Sequence, residues 1–281
     1  MKQKSSYLLI FSLLLLSVVS NAQSIAETYL KAQQFYSDSN YKEAAVCYDR
    51  VAFFDTTGTL KDTALLCEAN CYYNLHDYKE ALQIYNNLYK PYKVNVKAAA
   101  FWGIIYCEFE LKQFNNALTT LSLSNLKLDS SSQKKYLFYK SIAQLASTYY
   151  DDAQENLMRY IGDSVSKKAD SIRYLIAKLR KQQASKISRV KYLSMILPGS
   201  GQMVLGNYWN GLNSLLLNTA LIAITVNTSM AYAVYDGLLT VAPWWIRYYR
   251  GGIRNAGLQA EHKKEAKINK SIQEIIVLIS P

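Results

Sequence analysis

Along the first half of the chain, apolar and polar positions alternate at helical spacing, and the helical pattern itself recurs at a longer period. Four segments align: NYKEAAVCYDRV (40–51), DYKEALQIYNNL (77–88), QFNNALTTLSLS (113–124) and YDDAQENLMRYI (150–161). Their central alanines, Ala44, Ala81, Ala117 and Ala153, are separated by 37, 36 and 36 residues. Three residues before each alanine stands an aromatic: Tyr41, Tyr78, Phe114 and Tyr150. Four residues after it stands another large side chain: Tyr48, Tyr85, Leu121 or Leu157. Such positions share one helix face. The small residue lets two helices cross closely while its large neighbours fill the groove. A further helical stretch precedes the motif, as in IAETYLKAQQFYS (25–37) and TALLCEANCYYNL (63–75). The pattern predicts an all-α solenoid of about four helix pairs.

The second half is patterned differently. Residues 167–191 hold nine basic residues and one acid, with Ile172, Leu175, Ile176 and Leu179 at helical spacing. This predicts a basic amphipathic capping helix over 166–192. The stretch LPGSGQMVLGNYWNGL (197–212) then opens a run, 210–246, whose one charge is Asp236. Thirty-seven residues are too many for one membrane span and suffice for two short ones. The polar Asn227–Ser229 predicts a turn between arms Gly211–Val226 and Met230–Ile246, each reaching about 25 Å. Tyr208 and Trp209 precede the first arm, and Trp244, Trp245, Tyr248 and Tyr249 close the second. With Arg247, Arg250 and Arg254 they predict an aromatic and basic belt on one membrane face. A soluble hairpin buried in protein is the alternative.

The N-terminus adds a compartment. Lys2 and Lys4, the apolar Tyr7–Val19 and the small residues Ser20-Asn21-Ala22 predict a signal peptide over 1–22, cleaved before Gln23. The expected organisation is therefore signal peptide, repeats over 23–165, capping helix over 166–192, membrane module over 193–258 and a basic tail over 259–281. Charge sharpens this division. The net charge of +11 falls entirely after residue 166, since 1–166 hold 16 basic and 16 acidic residues and 167–281 hold 16 and 5. A basic half faces nucleic acid or anionic lipid. Export disfavours the former, leaving membrane lipids as the expected partner and the bacterial cell envelope as the expected location, with the repeats in the periplasm.

The aromatic-x-x-Ala-x-x-x-aromatic motifs around Ala44 and Ala81, with small residues Ala32 and Ala69 on the preceding helices, resemble tetratricopeptide repeats over residues 25–162. In the third and fourth units that small position is Ile105 and Ser141, a departure from the pattern. The resemblance implies a concave surface for protein or peptide partners. Carried over residue by residue, it is lined by Tyr29, Gln33 and Tyr36; Asn70, Tyr73 and Asn74; Trp102, Tyr106 and Phe109; and Lys135 and Phe138. Aromatics and amides there would anchor an extended segment and bond its backbone. Packing between repeats is the competing role for each aromatic.

Pro198-Gly199-Ser200-Gly201-Gln202, followed by Leu205-Gly206 and Gly211, resembles the entrance of small bacterial two-helix membrane domains over 190–258. Val204 stands where that pattern has tyrosine. The resemblance makes Pro198, Gly199, Gly201, Gln202, Gly206, Tyr208 and Trp209 the membrane entrance, and Trp244, Trp245, Arg247, Tyr248, Tyr249 and Arg250 the interface.

No catalytic chemistry is expected. His76 and His262 are 186 residues apart, no CxxC pair supplies a metal site, and no lysine completes a phosphate-binding loop after Gly199. Cys47, Cys67, Cys71 and Cys107 read as core filler, with a bridge from Cys47 as the alternative. No cofactor is expected. The chain reads as a non-enzymatic, exported, membrane-anchored scaffold. A small channel formed by oligomerised hairpins, with Asp236 in its interior, and a soluble repeat adaptor are the alternatives.

Overall fold

A computed structural model describes residues 24–90, 94–124, 129–162 and 166–280. The predicted signal peptide lies outside these. The fold is all-helical, with no strand among the described residues. The chain divides into two compact units, one ending at Ser147 and the other beginning at Thr148. The division falls inside the fourth predicted helix pair.

The first unit holds α1 (Ile25–Ser37), α2 (Tyr41–Phe54), α3 (Lys61–Asn74), α4 (Tyr78–Leu88), α5 (Val94–Glu110), α6 (Phe114–Leu123) and α7 (Ser130–Ala146). Each helix packs on the next in sequence, and α3 also meets α5. Local chemistry sets the starts. Ser24 and Glu27 form a capping box at α1, and the carboxylates of Asp77 and Asp129 accept from the Glu80 and Ser132 backbone N–H at α4 and α7. Asp55 organises the loop before α3, accepting from the N–H groups of Thr57, Gly58, Leu60 and Lys61. The Thr57 hydroxyl bond foremost, helped by these N–H groups, holds its carboxyl below the usual range.

The motif alanines Ala44, Ala81 and Ala117 are sealed from solvent, and so is Ala32 against the first of them. Tyr48, Val51 and Ala52 fill the first core; Tyr85, Leu88 and Ile104 the second; Phe101, Ile105 and Leu121 the third. At the departure from the pattern, the Ile105 side chain is itself part of the third core. All four cysteines are free thiols.

The turns repeat as regularly as the alanines. Ser39, His76, Lys112 and Thr148 all have φ between 57° and 68°. Each stands five residues before its motif alanine. In the first three turns the next N–H reaches back five residues, from Asn40 to Phe35, Asp77 to Tyr72 and Gln113 to Glu108, which ties off the helix end.

The second unit holds α8 (Tyr150–Ile161), α9 (Ser166–Gln183), α10 (Ser188–Ile196), α11 (Ser200–Val204), α12 (Tyr208–Ala231), α13 (Val234–Thr240) and α14 (Ala242–Ile279). The stripe Ile172, Ile176 and Leu179 is buried, and α9 packs on α8 and on α14, where Ile272, Ile275 and Ile279 are buried. The expected capping helix stops at Gln183 rather than running to 192. Its apolar spacing ends at Leu179, and the Ser185 hydroxyl turns back to the Gln182 carbonyl.

The expected two-arm hairpin is not what the chain forms. α12 runs straight through Asn227–Ser229, where no glycine or proline breaks it and hydroxyls such as Thr225 donate to the carbonyl one turn back. The break comes at Tyr232 and the extended Ala233. The expected second arm is split into α13, whose Gly237 sits against Thr225 and Ser229 of α12, and the start of α14. Nor are residues 259–279 a separate tail. They continue α14, a single helix of 38 residues.

α12 and α14 run antiparallel. Asn207 donates to Gln259 at 2.7 Å, a side chain on Gly252 would touch Ser214, and Leu217 and Asn218 share a cleft with Trp244 and Tyr248. The N-terminal part of α14 thus lies beside the middle of α12.

Candidate functional site

In the first unit, the residues expected to line the groove come together on α1, α3, α5 and α7. Asn74 donates to the Tyr36 hydroxyl at 3.2 Å, and Asn70 accepts from Tyr85 at 2.6 Å. Tyr73 packs on Tyr78 and Tyr106, while Trp102 stacks on Tyr106 with centroids 6.4 Å apart. Phe109 meets Phe114 and Tyr139 edge-on. Lys135 holds its ammonium 4.3 Å from the Trp102 ring centre and 4.7 Å from that of Tyr106. A cation over indole is attracted by the ring's negative face.

Several of these residues serve packing as well. Tyr29 turns edge-on to buried Tyr48. Gln33 and Asn74 are exposed, whereas Tyr36, Asn70, Tyr73, Trp102, Tyr106, Phe109, Lys135 and Phe138 are half-buried. Burial pushes the phenols of Tyr73 and Tyr139 up to about 12 and lowers the Lys135 ammonium. Sequence reasoning missed Tyr139, which touches Trp102, Tyr106, Phe109 and Phe138. Its signal was present, since it stands one helical turn after Lys135. The resulting surface offers flat rings, a cation and amides, which can pack an apolar or aromatic group and form hydrogen bonds.

In the second unit, the glycine motif is a packing knot. Gly199 has φ +91°, and a side chain there would strike the Gly211 carbonyl. Gly201 lies against Val190 and Ser194 and donates its N–H to the Ser194 hydroxyl at 3.1 Å. Gln202 donates to the Gly252 carbonyl at 3.2 Å, and Tyr249 to the Met195 carbonyl at 2.7 Å. Lys263 donates to the Leu205 carbonyl beside Gly206. Pro198 lies in the short segment between α10 and α11, and the bonds above, with the close approach of Gly199 to Gly211, join α10, α11, α12 and α14.

A cleft of about 650 Å³ opens beside the knot, lined by Gln202, Asn210, Asn213, Asn218, Asn255 and Gln259 together with Trp244, Arg247 and Tyr248. The row of amides on α12 was legible as polar residues at helical spacing in an apolar run, and was not singled out. Gln202 and Asn218 are buried, and each keeps an amide oxygen without a donor.

Expected interface residues fall into two groups. Tyr208 and Trp209 are exposed at the start of α12. Trp244 and Tyr248 lie level with Leu217 and Asn218, and Trp245 tilts onto Tyr249 at 5.7 Å. The two groups do not form one belt. Arg247 and Arg250 are exposed.

Among the described residues one helix, α12, is long and apolar enough to cross a membrane, with a mean hydropathy of 1.4 in a window that is 6 % buried. At its end Met230, and beyond it Tyr232, Val234, Tyr235, Leu238 and Leu239, are all more than half exposed. Compared with models of protein families, with characterised proteins and with solved structures, the chain matches none.

Proposed function

We propose that this chain is a non-enzymatic, exported scaffold, attached to an envelope membrane by α12 and α13, which holds a protein or peptide on the aromatic face of tetratricopeptide-like repeats. The observation that carries the membrane part is the unpartnered apolar surface of α12 and α13. Water would leave that surface hydrated at a cost of ~25 cal/mol per Å² relative to lipid.

The register of α14 supports a shallow embedding. Arg250 and Arg254 run beside the first half of α12, so a full span by α12 would carry these charges into hydrocarbon, at a cost of about 2.5–3.5 kcal/mol each. The tip beyond Asn218 is free of arginine, and its one charge is Asp236 in the first turn of α13. From Asn218 to Ala231 is about 20 Å at 1.5 Å per residue, less than the ~30 Å core. Trp244, Tyr248 and Arg247 would then stand at the head groups.

The repeat part rests on the regular turns, the sealed alanines and the clustered rings. Vesicle flotation of the full chain tests the attachment. The protein is expected to rise with anionic vesicles, and Leu216→Lys with Leu239→Lys to separate the two depths: Leu239→Lys abolishes flotation, Leu216→Lys weakens it less. Recovery of the unaltered chain in the soluble fraction without detergent sinks the anchor. A photoreactive side chain at Tyr73 or Trp102 tests the groove, and is expected to capture one partner that a substitution at exposed Lys31 does not.

A further inference from the structure

In the second unit another cleft, separate from the amide cleft, lies between α9 and α14. It encloses about 490 Å³ and is lined by Lys178, Lys181, Lys264, Lys267 and Lys270, with Gln182, Ser185, Ser271 and Glu274. The lysines face each other in two rows. Lys178 and Lys181 stand three apart on α9, and Lys264, Lys267 and Lys270 three apart on α14, so successive backbone positions advance about 4.5 Å along each helix. Glu274, the one acid in the lining, is bonded to Lys178 at 2.9 Å. Lys264 is tied to the Gln183 carbonyl at 2.6 Å. None of the ion pairs found among the described residues involves Lys181, Lys267 or Lys270.

Five ammoniums crowded around one concavity repel one another, and an anion bearing more than one charge removes that repulsion. A second observation narrows the ligand. Gln182 spends its amide N–H on the Ser271 hydroxyl at 3.2 Å, while its amide oxygen is buried with no donor. An unmet buried acceptor calls for an O–H or N–H. Inorganic phosphate near neutral pH keeps only one or two acidic hydroxyls; a sugar or polyol phosphate adds several alcohol hydroxyls, placed away from the charge, that can donate. The cleft is also far from the tip. Arg247 and Lys264 are 17 residues apart on one helix, about 25 Å, against a screening length of ~8 Å at physiological salt. The exclusion of lipid head groups, though not the cleft itself, rests on the embedding proposed above.

We propose that the α9–α14 cleft binds a phosphorylated carbohydrate, with Lys181, Lys267 and Lys270 on its phosphates and the Gln182 amide oxygen accepting a hydroxyl. The probe is fructose 1,6-bisphosphate, titrated into the full chain in neutral detergent at low salt, with tripolyphosphate and phosphatidylglycerol vesicles as parallel arms. The bisphosphate is expected to bind, and Lys181→Glu, Lys267→Glu and Lys270→Glu together to weaken it and tripolyphosphate by roughly tenfold or more. Gln182→Leu is expected to weaken the sugar bisphosphate several-fold and leave tripolyphosphate unchanged. Binding that ignores the three charge reversals overturns the site. Equal affinities before and after Gln182→Leu overturn the carbohydrate and leave a plain anion site. Vesicle binding that depends on these lysines, with no response to the soluble sugar, assigns the cleft to lipid and overturns the proposal. Loss of vesicle flotation with sugar binding intact would instead fail the membrane attachment alone. Arginine at the same three positions keeps charge and is expected to keep binding, which separates charge from folding.

Discussion

The ring of Tyr85 occupies the space that a side chain on Gly103 would need: a Cβ placed on Gly103 falls 2.5 Å from it. Tyr85 in turn donates its hydroxyl to Asn70, so one glycine lets α4, α5 and α3 share a contact. Gly103→Ala gains helix propensity of about 1 kcal/mol yet forces this ring aside. A net loss of about 1–3 kcal/mol is expected, seen as faster hydrogen exchange in α4 and α5. Combining it with Tyr85→Leu should recover part of the loss, because the obstacle is then smaller.

Two buried carboxyls give the first unit a pH dependence. Burial raises Glu68 to about 7, helped by the charges of Asp49 and Glu80, and burial raises Glu108 to about 7 although Thr120 donates to it. The folded protein therefore holds these protons more tightly than the unfolded chain, whose carboxyls titrate near 4.5. Their stabilisation is complete below pH 4.5 and fades as pH rises to about 7. Each group is expected to lose on the order of 2–3 kcal/mol by pH 8. Urea midpoints of Glu68→Gln and Glu108→Gln should be flatter with pH and higher than the parent at pH 8. A steeper fall above pH 5 would reverse the assignment.

The left-handed turn residues are strained where the side chain is not glycine. Lys112→Gly is expected to stabilise by about 0.5–1 kcal/mol, and Lys112→Val, branched at Cβ, to destabilise by about the same or more. Exchange protection at the end of α5 and the start of α6 reads both changes. The same comparison at Thr148, already β-branched with φ 68°, should give the larger gain.

Gly199 is the opposite case. Its φ of +91° and its contact with the Gly211 carbonyl leave no room for a methyl group. Gly199→Ala is expected to cost about 2 kcal/mol or more and to expose the α10–α11 amides to exchange. Protection in α1 to α7 should stay as it was.

What could be read from the chain was local. Alanine between two large residues, seven positions apart, specifies a close helix crossing, and the helices of the first unit follow that rule. The rings around Trp102 were also legible, since first-helix positions repeat with the alanines. The second unit resisted for physical reasons. The polar Asn227–Ser229 reads as a turn, but threonine and serine also bond within a helix, and the break falls at Tyr232 and Ala233, which carry no turn signal. The charged run before Ser271 reads as a tail because its partner, α9, lies about ninety residues back. Pairings of that range leave no trace in local spacing, as with Gln182 and Ser271.

α14 is one unbroken helix, Ala242–Ile279, which starts beside the apolar tip formed by α12 and α13 and further along lines the lysine cleft. A helix of that kind transmits rotation. On the attachment proposed above, a tilt of the tip would reach Lys264, Lys267 and Lys270 along α14, past the glycine pair Gly251 and Gly252. Under that proposal the second unit would couple the membrane tip to the lysine cleft through a single helix, with the glycine pair as the point where the coupling can bend.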